Sequence, residues 1–379
     1  MAKIVIIGGG VIGLSIARQL RMENIRDITV IDRGKMGQEA SWAAAGMLAP
    51  NAETETIDDF YRLCSDSNRL YDAFAAELLA ETDIDIEFHP DGTLELSFDE
   101  TGSQRLEQKF GRQKRAGIEV EMLTNAEIRA IETAVSPSVV SGLLYPNDGH
   151  VENRKLVDAL VEYSKRTGIH LLQNIAAEEL IMSRKKVTGV RTATGTMSAD
   201  VTILANGAWS SLIKIGGSAI PFNIKPIRGQ MLAFGGSSGM FDKVIYGSGA
   251  YLVPRADGRI LVGATVEDAG FVRAVTEDGV RELREAGIRT MPGLADLDMI
   301  DSWSGFRPCS DDDLPILGQL DGVEGLAIAT GHYRNGILLA PITARIIADL
   351  VVRGENSEYL KSFSPMRFSN QTTAAGETL

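Results

Sequence analysis

The sequence predicts an α/β protein, α+β overall, in which a domain with a buried parallel sheet is interleaved with a second domain built on an antiparallel sheet. The chain opens with an unbroken apolar run and a glycine-rich turn, which together are typical of the first strand of a parallel sheet. Later stretches alternate apolar and polar residues between turn signals, which is typical of antiparallel strands. A length of 379 residues fits two domains of ~150 residues each.

The composition excludes several classes of protein. Lys and Arg number 38 against 51 Asp and Glu, and the net charge of −13 would repel nucleic acid and anionic membranes. No apolar run approaches the ~20 residues of a membrane span. Cys64 and Cys309 lie far apart and have no metal-ligand spacing, which argues against a disulfide framework and a metal site. We therefore expect a cytoplasmic protein with no metal, no nucleic-acid partner and no membrane span.

A glycine motif follows the first predicted strand. Residues 4–7 (IVII) form the apolar run, and Gly8, Gly10 and Gly13 follow it in the pattern G-x-G-x-x-G. In this pattern the first glycine permits a tight turn, the second lets a pyrophosphate approach the backbone, and the third lets the next helix pack closely. The spacing of apolar residues predicts that helix over about Val11–Met22, with its positive end facing the phosphates.

A second predicted strand, at residues 28–31, ends in Asp32, nineteen residues after Gly13. A carboxylate at this point accepts hydrogen bonds from a ribose 2′-hydroxyl and would repel a 2′-phosphate. Because strand, glycines, helix, second strand and acid follow in order, we interpret them as a dinucleotide site in a Rossmann-like domain. The motif alone does not separate FAD from NAD.

Three stretches of small residues favour FAD. Residues 40–50 (ASWAAAGMLAP) stand where a simple NAD dehydrogenase would usually begin another crossover, and their small side chains let a flat ligand lie against the backbone. An Ala-rich core helix is the alternative for this stretch. Residues 200–209 predict a buried strand that leads into a small-residue turn. Residues 331–341 (GHYRNGILLAP) open a helix that is predicted to continue to about Val352, and its positive end suits a reduced flavin.

With the glycine motif, these stretches resemble the FAD-dependent amine oxidases of the D-amino-acid oxidase and sarcosine oxidase group and, within it, the glycine oxidases of thiamine biosynthesis. The resemblance extends over nearly the whole chain, and its most specific parts are residues 41–50 and 331–341. We expect the glycine motif and the second stretch to contribute cofactor contacts at Gly8, Gly10, Gly13, Ala205, Gly207 and Trp209. The resemblance implies non-covalent FAD that is also lined by Val11, Ile12, Asp32, Arg33, Ala40, Ser41, Ala45, Gly46, Met47, Ala177, His332, Tyr333, Arg334, Asn335, Gly336, Ile337 and Leu338.

An amino acid substrate needs its carboxylate held, and a planar guanidinium does so with two parallel hydrogen bonds. Arg307 lies among apolar and small residues and precedes a proline, and the resemblance implies that it binds this carboxylate. By the same resemblance Tyr251 adds a phenol, Tyr246 and Met47 lie in the pocket, and Arg334 helps to place the substrate. A solvated surface charge is the alternative for Arg307, and a core tyrosine is the alternative for Tyr251.

One position departs from the glycine oxidases, which can carry His two residues before the carboxylate-binding Tyr, where this chain has Gly249. We expect the missing imidazole to widen the pocket mouth and to relax a strict preference for glycine. His150 is expected in a surface turn without a catalytic role. Cys309 lies near the flavin-linking cysteine of sarcosine oxidases, but its register does not match.

The reaction that the resemblance implies is hydride transfer from the substrate α carbon to flavin N5. No side-chain base is expected, because the cofactor does the redox chemistry and the protein orients the substrate. Glycine, sarcosine and D-alanine are the expected substrates. The expected products are an oxo acid, ammonia or an amine, and hydrogen peroxide formed from oxygen. The resemblance also implies a homotetramer.

The order of the motifs predicts that the FAD-binding domain returns three times along the chain. It is expected at residues 1–85, 141–218 and 302–368, with the substrate domain at 86–140 and 219–301 and a flexible tail at 369–379. Within the substrate domain, Tyr251–Pro254 and Arg259–Gly263 predict a hairpin. Apolar spacing predicts one helix over about residues 57–81.

Three other functions stay open. A D-amino-acid dehydrogenase that passes electrons to a quinone would share the fold, and no short motif marks reactivity with oxygen. An NAD-dependent dehydrogenase would be colourless when purified. If the chain were a non-catalytic nucleotide-binding or interaction protein, Arg307→Ala would leave flavin turnover with every amine unchanged.

Overall fold

The computed structural model describes residues 2–355 and 357–368, so the predicted tail at 369–379 lies outside the described residues. A six-stranded sheet brings together strands from distant parts of the chain. All its neighbours are parallel except the pair at the edge formed by Ile316–Gly318. In spatial order its strands are Ile316–Gly318, Leu326–Thr330, Val201–Leu204, Lys3–Ile7, Asp27–Ile31 and His170–Leu172.

Both faces of this sheet are buried, as the apolar run at its centre predicts. Ile4 and Ile6 pack into a core shared with helices on one face. Val5 and Ile7 pack into a separate core on the other face, which includes Leu180 of a five-stranded sheet. That second sheet has the order Gly195–Ser198, Lys186–Thr192, Ala177–Ser183, Lys214–Ile215 and Ser218–Ala219.

A nine-stranded, largely antiparallel sheet forms the other half of the molecule. Its longest strands, Ile224–Gly235 and Met299–Ser310, pair with each other along most of their length. The remaining strands follow from Ile224–Gly235 in the order Arg259–Gly263, Tyr251–Pro254, Val244–Tyr246, Thr93–Ser97, Ser141–Tyr145 and Glu121–Thr124, with Glu267–Asp268 on the other side. The predicted hairpin is confirmed by the antiparallel pairing of Tyr251–Pro254 with Arg259–Gly263.

The strands Ser141–Tyr145 and Met299–Ser310 do not follow the predicted domain boundaries. Ser141–Tyr145 pairs with Thr93–Ser97, and so it joins the nine-stranded sheet rather than the nucleotide domain. The boundary at residue 302 falls inside Met299–Ser310, which is continuous because its pairing with Ile224–Gly235 extends on both sides of that point. A small sheet of Met47–Leu48 and Gly149–His150 completes the strands.

The helices surround these sheets. Val11–Met22 has the predicted bounds. The described α-helices are Val11–Met22, Ala40–Ala43, Asp59–Asn68, Tyr71–Thr82, Glu100–Arg115, Asn125–Ile131, Asn153–Arg166, Glu277–Thr290, Ala340–Arg353 and Tyr359–Ser362, and the 3-10 helices are Gly207–Leu212, Pro292–Asp296 and Pro365–Phe368. None of the helices in the described ranges combines the length and apolar character needed to cross a bilayer.

The prediction of one helix over residues 57–81 is wrong. The segment forms two helices that break at Arg69 and Leu70, although it contains neither Gly nor Pro. The Ser67 hydroxyl donates to the carbonyl of Leu338 at 2.6 Å, and the Tyr71 hydroxyl donates to that of Ile337. These contacts with a distant turn accompany the break, and no local sequence signal announces them.

Candidate active site

A cavity of about 540 Å³ lies at the carboxyl ends of the central strands and extends to the nine-stranded sheet. Gly8, Asp32 and Ala205 each follow directly after one of these strands and line it. In open parallel sheets this edge is where ligands bind. The predicted cofactor residues that line the cavity are Gly8, Gly10, Val11, Ile12, Asp32, Arg33, Ala40, Ser41, Ala45, Gly46, Met47, Ala177, Ala205, Gly207, Trp209, His332, Tyr333, Arg334, Asn335, Gly336 and Ile337. Gly13 and Leu338 do not line it.

The glycine motif leaves no room for side chains. Gly8 has φ +109°, and a Cβ atom there would lie 2.3 Å from the carbonyl oxygen of Ala205. A Cβ at Gly13 would lie 2.0 Å from the carbonyl oxygen of Gly8, so this residue serves the packing of the helix rather than ligand contact. The amino end of Val11–Met22 faces the cavity through Gly10, Val11 and Ile12. The arrangement suits a pyrophosphate.

Asp32 is fixed by the backbone around it. Its carboxylate accepts hydrogen bonds from the amides of Gly9 and Gly34, both at 2.8 Å. Each carboxylate oxygen can accept a further hydrogen bond. The side chain therefore suits the hydroxyls of a ribose, as the sequence predicts.

The small-residue segment 40–47 is held against the cavity from behind. Ser41 Oγ accepts from the amide of Val11 at 2.9 Å, which ties the segment to the glycine motif. Gly46 has φ +73°, and a Cβ there would lie 2.0 Å from the carbonyl oxygen of Val151. The cavity lining at Ala43, Ala44 and Ala45 carries only methyl groups. Such a wall fits a broad flat ring, so the residues present fit FAD.

A buried arginine that sequence reasoning missed anchors this wall. Arg255 is 4% exposed and donates to the carbonyls of Ala45 at 2.8 Å and Val151 at 3.0 Å. It also donates to Asn153 Oδ1 at 3.0 Å and forms an ion pair with Glu152 at 3.1 Å. Arg255 lies in the turn of the predicted hairpin, where an arginine is usually exposed, and nothing local marks it as an anchor.

Aromatic side chains form another part of the wall. Trp209 stacks on Phe271 with ring centroids 5.4 Å apart, and the Arg33 guanidinium lies 4.6 Å from the Trp209 ring centroid. Phe306 meets both rings edge-on. Phe271 and Phe306 were missed by sequence reasoning, because single aromatic residues in a loop and in a strand carry no distinguishing pattern.

The C-terminal stretch forms a turn before its helix. The helix begins at Ala340, so His332–Ile337 lines the cavity as irregular backbone rather than as a first helical turn. The His332 ring is buried and lies 3.0 Å from Thr343 Oγ1. Burial lowers the pKa of His332 to about 3. The imidazole is therefore neutral at physiological pH.

Four of the five predicted substrate residues line one end of the cavity: Arg307, Tyr251, Arg334 and Met47. Arg307 donates from Nη1 to the carbonyl of Thr265 at 3.0 Å and forms no salt bridge within the described chain. Burial raises the pKa of Tyr251, so its phenol stays protonated. Tyr246 lies behind this end and does not line the cavity. The centroid of its ring is 6.0 Å from that of the Tyr251 ring.

Glu53 is a residue at this end that sequence reasoning missed. Its carboxylate accepts from the Tyr246 hydroxyl at 2.7 Å and from Arg334 at 3.3 Å. Glu53 raises the pKa of Arg334. Since Arg334 is paired in this way, Arg307 is left as the cation at this end without a carboxylate partner among the described residues.

The loop that carries Glu53 is held by buried polar groups. Asp148 accepts from the amide of Ala52 at 2.9 Å and from the side-chain amide of Asn51 at 2.8 Å. Lys109 donates to the carbonyl of Ala52 at 2.6 Å. Burial raises the pKa of Asp148 to about 7.

Three expectations about single residues have different outcomes. The surface-turn interpretation of His150 is wrong, because pairing with Met47 buries it to 3% exposure and its ring stacks on His89. Gly249 is exposed and does not line the cavity, and the wider pocket mouth stays a prediction. Cys309 also does not line the cavity; its thiol donates to Asp313, and burial together with this bond raises its pKa to about 12.

No group of His, Cys, Asp and Glu side chains suited to a metal ion occurs within residues 2–355 and 357–368. Besides its arginines, the substrate end carries the protonated phenol of Tyr251, the neutral imidazole of His332 and the carboxylate of Glu53, which is paired with Arg334. The site can therefore bind and orient a ligand, and it presents the cation of Arg307 to that ligand.

Comparison with known proteins gives consistent matches. The family described as FAD dependent oxidoreductase matches residues 3–350. The chain is 36% identical over 377 residues to the bifunctional protein ThiO/ThiG of Synechocystis, covering 98% of this chain and 55% of that protein. It thus spans about half the length of that relative. It is 32% identical over 370 residues to the glycine oxidase of Geobacillus kaustophilus, covering 96% of each.

Solved structures give the same result. The crystal structure of glycine oxidase from Geobacillus kaustophilus superposes with a TM-score of 0.90 at 32% identity, covering 97% of this chain and 98% of that one. The structure of glycine oxidase from Bacillus cereus superposes with a TM-score of 0.88 at 27% identity, covering 96% and 98%.

Proposed function

Because this chain belongs to the FAD dependent oxidoreductase family, we propose that it is an oxidase of glycine and other small primary or secondary amines, including sarcosine and D-alanine. One observation carries the proposal. Arg307 lies next to Tyr251 at one end of the cavity, and it has no carboxylate partner in the described chain. A guanidinium in this state suits the carboxylate of a small amino acid.

Different residues of the chain bind the substrate carboxylate and the parts of FAD. Arg307 and the protonated phenol of Tyr251 hold the substrate carboxylate, and Glu53 fixes Arg334 beside them. Gly8, Gly10 and the amino end of the first helix would hold the pyrophosphate of FAD, Asp32 its ribose, and residues 43–47 its ring system. When bound, FAD supplies the acceptor for the hydride of the substrate α carbon.

Proton transfer needs no dedicated base at this site. Burial keeps the His332 imidazole neutral and hydrogen-bonded to Thr343, and Glu53 is engaged by Tyr246 and Arg334. The protein therefore accelerates the reaction by holding the substrate in a fixed orientation. The substrate enters with its amine neutral. Oxidation of the substrate amine gives an imine, which water hydrolyses to an oxo acid and ammonia or an amine.

We assign oxygen as the electron acceptor, with hydrogen peroxide as product, and a place in thiamine biosynthesis, following the resemblance to glycine oxidases. The identity of 36% to a bifunctional protein ThiO/ThiG supports that place. A homotetramer follows from the same resemblance and is part of the proposal.

A peroxide assay tests the proposal. The purified flavoprotein is incubated under air with glycine, sarcosine, D-alanine and an amine without a carboxylate, and peroxide is measured by a coupled peroxidase. We expect peroxide with the three carboxylate-bearing amines. Turnover with a quinone but none with oxygen would favour a D-amino-acid dehydrogenase, and the absence of turnover with every amine would refute an amine-oxidising role.

A further inference from the structure

We infer that Gly229 is a positioning residue for the substrate carboxylate. Because Gly229 has no side chain, the Arg307 guanidinium can lie directly over its backbone, and we call this place the seat of the guanidinium. The inference rests on the proposed function, since it assumes that Arg307 binds the carboxylate. Gly229 is buried and lines the substrate end of the cavity.

The register of two strands brings the two residues together. Ile224–Gly235 and Met299–Ser310 are antiparallel, with Gly229 opposite Gly305 and Ile227 opposite Arg307. Arg307 and Gly229 are therefore diagonal neighbours on one face of the sheet, since side chains alternate between faces. A long side chain can reach a diagonal neighbour, and that of Arg307 does so here.

The distances show why position 229 is glycine. A Cβ atom there would lie 2.3 Å from Arg307 Nη1, 2.5 Å from Nη2 and 2.6 Å from Cζ. Gly229 does not have the positive φ that disfavours other residues, so the backbone itself would accept alanine. The guanidinium, and not backbone strain, requires the glycine.

The two chain neighbours of Gly229 complete the seat. The amide of Gln230 donates to Thr265 Oγ1 at 2.9 Å, and its side chain donates to Glu267 at 2.8 Å. Arg228 forms an ion pair with the same Glu267. These bonds fix Thr265, whose carbonyl accepts from Arg307 Nη1 at 3.0 Å. The guanidinium is thus held on one side by Thr265 and lies over the bare backbone of Gly229.

Because of this geometry, a side chain at position 229 should weaken the binding of substrate without affecting the fold. The atoms that a Cβ at position 229 would meet are the far end of a flexible side chain, which can move without disturbing either strand. Gly229→Ala should therefore leave the protein folded while it displaces the guanidinium from its seat. A displaced guanidinium loses the aligned pair of hydrogen bonds to a carboxylate.

The test compares Gly229→Ala with a matched control, Gly235→Ala, in the FAD-loaded protein. Gly235 lies on the same face of the same strand, outside the cavity lining, where a Cβ would meet only a methyl group of Ile300 at 3.3 Å and a carbonyl oxygen at 4.0 Å. Acetate, a carboxylate without an amine, is titrated against the visible absorbance of the flavin to give its Kd. Melting temperature, and kcat and KM for glycine, are measured on the same samples.

We expect Gly229→Ala to raise the Kd for acetate and the KM for glycine by about tenfold or more, with a smaller change in kcat and a melting temperature close to that of the parent. Gly235→Ala should change none of these. The inference is overturned if Gly229→Ala binds acetate like the parent, or if its losses are matched by Gly235→Ala.

The double variant with Arg307→Ala separates this inference from the proposed function. If the seat acts through Arg307, Gly229→Ala should cause no further loss of acetate binding once Arg307 is alanine. A further loss would show that Gly229 acts in another way and would overturn the inference. If Arg307→Ala alone leaves acetate binding and the KM for glycine unchanged, the proposed role of Arg307 fails, and the inference fails with it.

Discussion

Replacement of Arg307 by alanine should lower kcat/KM for glycine mainly through a higher KM. The guanidinium is half-buried, has no carboxylate partner in the described chain and is held by Thr265, so it is free to bind a ligand carboxylate. Truncation of one member of a buried charge pair costs ~2–5 kcal/mol. For a half-buried group we take about 2–3 kcal/mol, which is roughly 30- to 150-fold in kcat/KM at ~1.4 kcal/mol per tenfold.

The assay is steady-state peroxide production over a range of glycine concentrations. Arg307→Lys should fall between the parent and the alanine variant, because an ammonium keeps the charge and loses the fork of two parallel donors. Arg281→Ala is the control, since that arginine is exposed and pairs only with Asp278 on its own helix among the described residues. A kcat/KM for Arg307→Ala within about threefold of the parent would refute the reasoning.

Three further predictions concern the cofactor and stability. Gly8→Ala should lose most of its bound FAD, because its Cβ would lie 2.3 Å from the carbonyl oxygen of Ala205. The measurement is visible absorbance per protein. The control Gly195→Ala should keep its FAD, since Gly195 also has a positive φ but has open space around it. Cys309→Ser should bind FAD like the parent, and acid precipitation should release the yellow colour from both proteins into the supernatant, since that thiol lies outside the cavity lining; a yellow pellet would show covalent flavin. Folding raises the pKa of Asp148 from 3.8 to about 7, so ionisation of this carboxyl destabilises the folded protein. The free energy of unfolding should therefore fall as pH rises between these values, by up to ~1.4 kcal/mol per pKa unit. Asp148→Asn should flatten that slope in thermal melts followed by circular dichroism. An equal slope in the parent and in Asp148→Asn would contradict this assignment.

The parts of the fold that local sequence determines were predictable. The apolar run, the glycine motif, the helix Val11–Met22 and Asp32 lie within 32 residues, and each has its own local reason. The same is true of the hairpin around the turn at Asp257 and Gly258. Alternation and turn residues are sufficient for such elements.

Features that depend on distant contacts were not predictable. Arg255 anchors Ala45 from 210 positions away, and Tyr246 contacts Glu53 across 193 positions. The break after Asp59–Asn68 occurs next to bonds with residues 337 and 338, and no Gly or Pro signals it. For the same reason His150 looked like a turn residue, although pairing with Met47 buries it. A single sequence does not reveal which distant segments meet.

The resemblance supplied what spacing alone could not, namely the choice of Arg307 among the arginines of the chain. The structure adds the physical reason that sets it apart: Arg33 and Arg334 each have a carboxylate within salt-bridge distance, and Arg307 has none within the described residues. It also adds the seat at Gly229, which is visible only once the register of two strands is known.

Anaerobic mixing of the FAD-loaded protein with glycine tests the central claim most directly. With oxygen absent, a single turnover should bleach the visible band of the flavin, and admission of air should restore the band with release of peroxide. The same mixing with Arg307→Ala should require much higher glycine concentrations. A flavin band that dithionite bleaches, but that glycine, sarcosine and D-alanine all leave unchanged, would contradict the account.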